Sequence, residues 1–308
     1  MPTPTYVLIT PARNEAEYIE LTLRSVVTQT VRPVRWIIVS DGSTDDTNKI
    51  VSRYAAEHTW IELVRMPVRR ERNFARKVHA FNAGYAKLEN VPYEMIGSLD
   101  ADISFDDEYF SYLLNKLAED TLLGLVGTPF VESGQTYDYR FTNIEHVSGA
   151  CQLFRRRCFE EIGGYLPSEG GGIDLIAVLK SRMKGWKTRT FTEKVCLHHR
   201  RMGSGQGSAF STCFKYGVKD YALGCHPLWE AFRACYQMTR RPYILGGLLL
   251  GSGYIWSLIC HVERTIPREV MYFRRREQMQ RLSQLFAGRW YASQPLAGGV
   301  GNSSAGPA

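Results

Sequence analysis

No two of the seven cysteines stand in CxxC spacing, and an odd set of seven cannot all pair within the chain. That argues against a disulfide framework or a cysteine zinc site and for a reducing compartment. The residues Met1-Pro2-Thr3-Pro4-Thr5 run straight into a strand-like segment, with no charged n-region and apolar h-region, so no secretory signal is expected. Internal repeats are missing, as are an aromatic RNP-type strand and a basic zipper, and nucleic acid is therefore not an expected partner. Long hydrophobic runs are scarce too. Tyr243 to Cys260 is free of charge over 18 residues, the lower limit for a membrane span.

What is present is enough for a substantial core: 308 residues, 44% of them hydrophobic, sufficient for one catalytic domain of about 200 residues with appendages. The formal charge of +7 suits anionic lipid, nucleic acid or phosphorylated substrates alike. Its distribution narrows the choice. Residues 261–290 carry seven Arg against three Glu directly after the most apolar stretch, which favours a lipid surface.

Tyr6 to Thr10, Trp36 to Ser40, Ile61 to Arg65 and Glu94 to Leu99 are short apolar runs rich in β-branched residues and read as buried strands. Between them Ile19, Leu23, Val26 and Val27 recur at helical spacing, and Ile50, Val51 and Tyr54 do so after the capping signal Ser43-Thr44-Asp45-Asp46. Strands alternating with helices predict a parallel α/β sheet covered on both faces, with ligands bound beyond the carboxyl ends of the strands. Polar clusters occupy that address: Pro11 to Glu15, Asp41 to Ser43, and Asp100-Ala101-Asp102. Residues i and i+2 of a strand share a side, so Asp100 and Asp102 can converge on one hard cation that also binds phosphates. Helix returns at Ile173 to Lys184, with Asp174 in its first turn after Gly170-Gly171-Gly172.

Together the segments TPARNE (Thr10 to Glu15), DGSTDDT (Asp41 to Thr47), RKVHAFNAG (Arg76 to Gly84), DAD (Asp100 to Asp102), SGACQLFRR and GGxD resemble the family 2 glycosyltransferases of the GT-A fold over roughly residues 5–201. The resemblance implies an inverting transferase that uses a nucleotide-activated sugar and a divalent cation, Mn2+ or Mg2+. It implies further that Pro11, Ala12, Arg13 and Glu15 shape the nucleoside pocket, that Asp41 bonds the base, and that Asp100 stands by the ribose or the metal. Lys77 can meet a phosphate as a point charge. Asp102 is the implied principal metal ligand, joined by a downstream His. His198 and His199 both stand where that ligand is expected, and alternation allows only one of them to face the metal; His199 is preferred, His198 the substitute. Family members often carry Glu-Asp eleven residues before a terminal Gly; here Asp174 keeps the spacing to Gly185 while Ile173 replaces the Glu. Asp174 is thereby nominated as the catalytic base, with Glu169 in reserve.

Past the transferase-like part, Trp229, Phe232 and Tyr236 share a helical face near Arg233, Arg240 and Arg241, as in an interfacial helix. Basic residues flank the apolar run on both sides, which favours a monotopic or re-entrant insertion over a simple span. The expected organisation is a GT-A catalytic domain over 1–205, with a nucleotide-sugar half of about 1–105 and an acceptor half of about 106–205. After it come a flexible loop with an amphipathic interfacial helix (206–242), an apolar membrane-associated helix (243–260), a basic amphipathic helix (261–290) and a disordered tail (291–308). The implied protein sits on the cytoplasmic face of a membrane and moves a sugar from a UDP- or GDP-sugar to a glycan or lipid-linked acceptor. A homodimer contact through the apolar run is compatible with the pattern. Competing readings are a polyprenyl-phosphate sugar transferase, a sugar-phosphate nucleotidyltransferase, which would need a glycine-rich triphosphate loop, and a non-catalytic membrane scaffold.

Overall fold

A computed structural model describes residues 3–68, 75–132, 143–200 and 209–287. The glycine-rich loop at 203–208 and the tail at 291–308 lie outside the described residues. Strands β1 (Tyr6–Ala12), β2 (Arg35–Asp41) and β3 (Ile61–Met66) alternate with helices α1 (Ile19–Val27) and α2 (Thr47–Glu57). Helix α3 (Ala75–Tyr85) leads into β4 (Met95–Leu99), the short β5 (Ile103–Ser104) and helix α4 (Tyr109–Glu119). Then follow β6 (Leu123–Gly127), β7 (Phe130–Val131), β8 (Cys151–Arg155), α5 (Arg156–Glu161), α6 (Ile173–Met183), β9 (Lys187–Thr190) and β10 (Cys196–His198).

The main sheet has seven strands in the order β3-β2-β1-β4-β8-β6-β9. Strands β1 to β4 pair in parallel, β8 runs antiparallel to both β4 and β6, and β6 and β9 are parallel again. Mostly parallel strands need apolar cover on both sides, and alternation in β1 shows how it is met. Tyr6 and Leu8 join Trp36, Ile38, Leu23 and Leu113 on one face, while Val7 and Ile9 join Ile37, Val39, Phe81 and Phe154 on the other. A second sheet, β5-β10-β7, is small. Its role is positional, because β10 pairs with β5 and lays residues 197–198 across from 103–104.

The C-terminal third folds as four helices: α7 (Ala209–Ala222), α8 (Pro227–Met238), α9 (Tyr243–Ile259) and α10 (Arg268–Phe286). Thus 206–242, expected as a loop and one helix, holds α7 and α8. These elements share a core with the transferase-like part: Ile176 and Leu179 of α6 are buried against Leu223, Ile266, Val270 and Met271. Arginines expected to face lipid are partly engaged inside. Arg274 and Arg275 donate to the carbonyls of Leu223 (2.5 Å) and Gly224 (3.1 Å) just past α7, where orphan carbonyls and the helix dipole favour cations. Arg281 reaches Glu145 at 2.7 Å and Arg182 reaches Glu277 at 2.6 Å, which ties α10 to the sheet domain. No helix of the described residues is long and apolar enough to cross a membrane. All seven cysteines are free thiols.

Candidate active site

Two loops at the carboxyl ends of β1 and β2 are stitched together by side chains of the two motifs. Asn14, at a left-handed φ of 53°, accepts from the Thr44 amide at 2.8 Å and donates its own amide to Ser43 Oγ at 3.1 Å. The Glu15 and Ala16 amides donate to Thr47 Oγ1 (2.8 Å) and Asp45 Oδ2 (3.0 Å). Asp45 also accepts from the Thr47 amide at 3.0 Å at the start of α2. With Asp45 serving the helix start, Asp41 is left to face the cleft, where its carboxylate lies 3.8 Å from Arg13.

That cleft, about 540 Å³ in volume, is lined by Pro11, Ala12, Arg13, Glu15, Asp41, Arg76, Lys77, Asp100, Asp102, Glu169 and Arg200, among others. Lys77 projects from the first turn of α3 and forms an ion pair with Asp100. Burial alone pulls the Lys77 ammonium down, but Asp100 more than reverses this and holds it above its ordinary value. Asp100 is raised, chiefly by burial, with Lys77 opposing and the Asp102 charge adding to the effect. Glu15 is pushed up to about 7 by burial that its ion pair with Arg200 only partly offsets.

Asp102 is 8% exposed and lies beside Arg200 and His198. Arg200 Nε lies 3.4 Å from Asp102 Oδ2, and His198 Nε2 lies 3.7 Å from Oδ1. The geometry separates the two histidines. The His199 amide donates to the Asp102 carbonyl at 2.9 Å, which continues the β5–β10 pairing and turns the His199 ring to the other face. There His199 Nε2 is hydrogen-bonded to Ser104 Oγ at 2.8 Å, and its ring stacks on Tyr18 with centroids 6.3 Å apart. His198 is thus the histidine beside the carboxylates. Among the described residues its buried Nδ1 has no hydrogen-bond partner, and it lies 3.9 Å from the Glu132 carboxylate.

The two candidate bases separate. Glu169 lines the cleft, whereas Asp174 lies outside its lining, packed against Gly149 in the first turn of α6. Gln152 holds that turn, donating to the Asp174 carbonyl at 3.4 Å and accepting from Tyr165 OH at 2.7 Å. The Asp174 charge is still felt at Lys77. Arg200 and Arg76 are cleft residues that sequence reasoning missed. Arg200 stands in the run His198-His199-Arg200-Arg201, which reads as an exposed basic edge, and its side chain, 43% exposed, borders the cleft.

Oxygen and imidazole donors of this kind suit Mn2+ or Mg2+. Asp102 and Asp100 line the cleft and His198 Nε2 lies 3.7 Å from Asp102, so donors of that chemical type are present on one side of it. Residues 7–163 match the family described as glycosyl transferase family 2. The chain belongs to that family. Among curated proteins it is similar to a poly-beta-1,6-N-acetyl-D-glucosamine synthase of Staphylococcus epidermidis, 26% identical over 170 residues, covering 49% of this chain and 39% of that protein. A synthase of the same description from Staphylococcus aureus is 23% identical over 196 residues, 57% of this chain and 45% of the relative. The family 2 chain therefore spans less than half the length of these relatives. Its fold is similar to the mannosyltransferase PcManGT of Pyrobaculum calidifontis solved with GDP-Man and Mn2+ (TM-score 0.57, 20% identity, 94% of this chain and 88% of that one). It is also similar to S. aureus TarS solved with UDP-GlcNAc (TM-score 0.50, 18% identity, 70% and 65%) and to GalNAc-T7 solved with UDP, GalNAc and Mn2+ (TM-score 0.60, 15% identity, 94% and 58%). These likenesses give the α/β GT-A-like fold.

Proposed function

We propose that the chain is an inverting glycosyltransferase that moves a sugar from a UDP- or GDP-sugar to a hydroxyl of a growing or lipid-linked glycan. The observation that carries this reading is the convergence of Arg13, Asp41, Lys77, Asp100 and Asp102, from four separate motifs, on one cleft at the carboxyl ends of the parallel strands. Asp41 is suited to accept an imide or amide N–H of uracil or guanine, and Arg13 beside it offsets nearby phosphate charge. Lys77, Arg76 and Arg200 supply positive charge along the cleft, matching a diphosphate. Asp102, His198 and Asp100 would hold Mn2+ or Mg2+, which as a Lewis acid stabilises the charge of a departing nucleoside diphosphate.

Asp174 is our assignment for the base that takes the proton from the acceptor hydroxyl. It stands outside the donor cleft, as a group serving a second substrate would, and its neighbour in this role is Glu169 at the cleft rim. Attack from the side opposite the diphosphate gives inversion. A saccharide acceptor accords with the polysaccharide synthases to which the chain is similar.

A thermal-shift panel of UDP- and GDP-sugars, each with and without Mn2+, tests the donor reading, since a ligand that binds only the folded state raises its stability by mass action. One nucleotide series should raise the melting temperature, and more so with the cation. A flat response to every nucleotide, with or without metal, would remove the donor site from the proposal.

A further inference from the structure

Among the described residues, helix α9 leaves an apolar face exposed. Eight of the nineteen large hydrophobic side chains exposed among the described residues lie on it: Tyr243, Ile244, Leu245, Leu248, Ile255, Trp256, Leu258 and Ile259. Its inward side is made of Gly246, Gly247, Leu250, Gly253, Tyr254 and Ser257. Glycine is required there. A Cβ on Gly247 would run into the Ala234 carbonyl of α8, and one on Gly253 into the Phe214 carbonyl of α7. Small residues thus seat the helix backbone against its neighbours, and the large ones are turned outward. Leu245, Leu248, Ile255 and Ile259 form one stripe, and Ser252 is the polar side chain within it.

Seventeen residues of helix reach about 25 Å, short of the ~30 Å of bilayer hydrocarbon. The surrounding charge points to what covers the face. In residues 209–287 the acids Asp220 and Glu230 are engaged with Arg233, and Glu277 with Arg182. The exposed charged side chains there are Lys215, Lys219, Arg240, Arg241, Arg268 and Arg276 against Glu263 and Glu269. An apolar stripe in a basic surround matches the interfacial layer of an anionic bilayer.

We propose that α9 is an in-plane anchor, which inserts its outer stripe into the surface of an anionic phospholipid membrane without crossing it. This goes beyond the transfer reaction and does not depend on it. The test is sedimentation of the full chain with vesicles of phosphatidylcholine, alone or mixed with phosphatidylglycerol. The chain should pellet with the mixed vesicles at low salt, lose part of that binding as salt rises, and keep a salt-resistant remainder. Leu248→Glu with Ile255→Glu should lower vesicle partition about tenfold or more while circular dichroism and melting remain those of a folded chain. Should that pair fail to fold, Arg240→Glu with Arg241→Glu should remove salt-sensitive binding alone. Trp256 should be quenched by lipids brominated on the acyl chain, and Trp256→Phe should abolish most of that quenching. Wild-type chain that stays in the supernatant at low salt overturns the proposal. So does a folded Leu248→Glu, Ile255→Glu variant that binds as well as wild type. A wild-type dimer that these substitutions split, with no vesicle binding, would assign the face to a second copy instead.

Discussion

Arg200 lies beside the carboxylate of Asp102, with Nε 3.4 Å from Oδ2 in an ion pair without a hydrogen bond, while its other end pairs with Glu15. One guanidinium therefore links the loop after β1 to Asp102, and a cation approaching Asp102 must compete with it. The pair is partly exposed on the arginine side, so it contributes roughly 1 kcal/mol or less, equal to about two- to fivefold in an equilibrium. Arg200→Ala should tighten Mn2+ binding by about that factor in the absence of nucleotide, as read by electron paramagnetic resonance of free Mn2+. The same variant should weaken nucleotide-sugar binding, because a positive charge leaves the cleft. Unchanged Mn2+ affinity would show that the bridge does not guard Asp102.

His198 and His199 differ in what surrounds them, and that difference is measurable. His198 lies by Asp102, its Nδ1 without a hydrogen-bond partner among the described residues, whereas His199 is bonded to Ser104 and stacked on Tyr18. His198→Ala should lower Mn2+ affinity by about tenfold or more, on the scale of lost metal-site interactions. His199→Ala should leave that affinity within about twofold. The reverse order would return the ligand to His199.

Much of this was legible in the sequence, for physical reasons that also mark where legibility ended. Strands β1, β2 and β4 are buried on both faces and the edge strand β3 is half-buried, so their apolar runs stood out, and the polar residues ending them had to lie at the ligand side of a parallel sheet. The choice between His198 and His199 was not legible, because alternation says only that adjacent residues diverge. Which one faces the aspartates depends on the register of a short β10 on a two-residue β5, and no local signal fixes that. Arg274 and Arg275 looked like surface charge because nothing in a run of arginines reveals that α7 ends beside them.

Asp174 and Glu169 give opposite patterns if only one is the base. Asp174→Asn should keep nucleotide-sugar KM and lose turnover by about 100-fold or more, the scale of general-base catalysis. Glu169→Gln, at the cleft rim, should instead raise donor KM modestly with kcat nearly intact. A collapse of kcat in Glu169→Gln alongside an active Asp174→Asn moves the base to Glu169.

The helices after residue 209 should prove integral to the stability of the transferase part. Ile266 is 5% exposed and packs with Leu223 and Val270 over Ile176 and Leu179. Ile266→Ala should therefore cost about 2–5 kcal/mol, measured by urea denaturation, through lost burial and the cavity left behind. Truncation after residue 222 would strip that cover from α6, and the shortened chain should aggregate. A truncated chain that stays monomeric and melts as the full one does would show that the shared core is dispensable.

Stability should also carry a pH signature from Glu230. The residue is 2% exposed, one carboxylate oxygen has no hydrogen-bond partner among the described residues, and the group is pushed up to about 7, chiefly by burial, with Asp220 adding and Arg233 opposing. The fold thus favours the protonated form more than the unfolded chain does, where the carboxyl titrates near its ordinary 4.5. Between those two values the native state binds more protons, so stability falls as pH rises. The contribution is fully present below about 4.5 and lost by about 7 to 8. Glu230→Gln cannot release a proton, so its melting temperature should decline less than that of wild type between pH 5 and 8, and at pH 8 it should equal or exceed it. Parallel melting curves for the two proteins across that range would mean that Glu230 is already ionised in the native state, neutralised by Arg233 and Arg274.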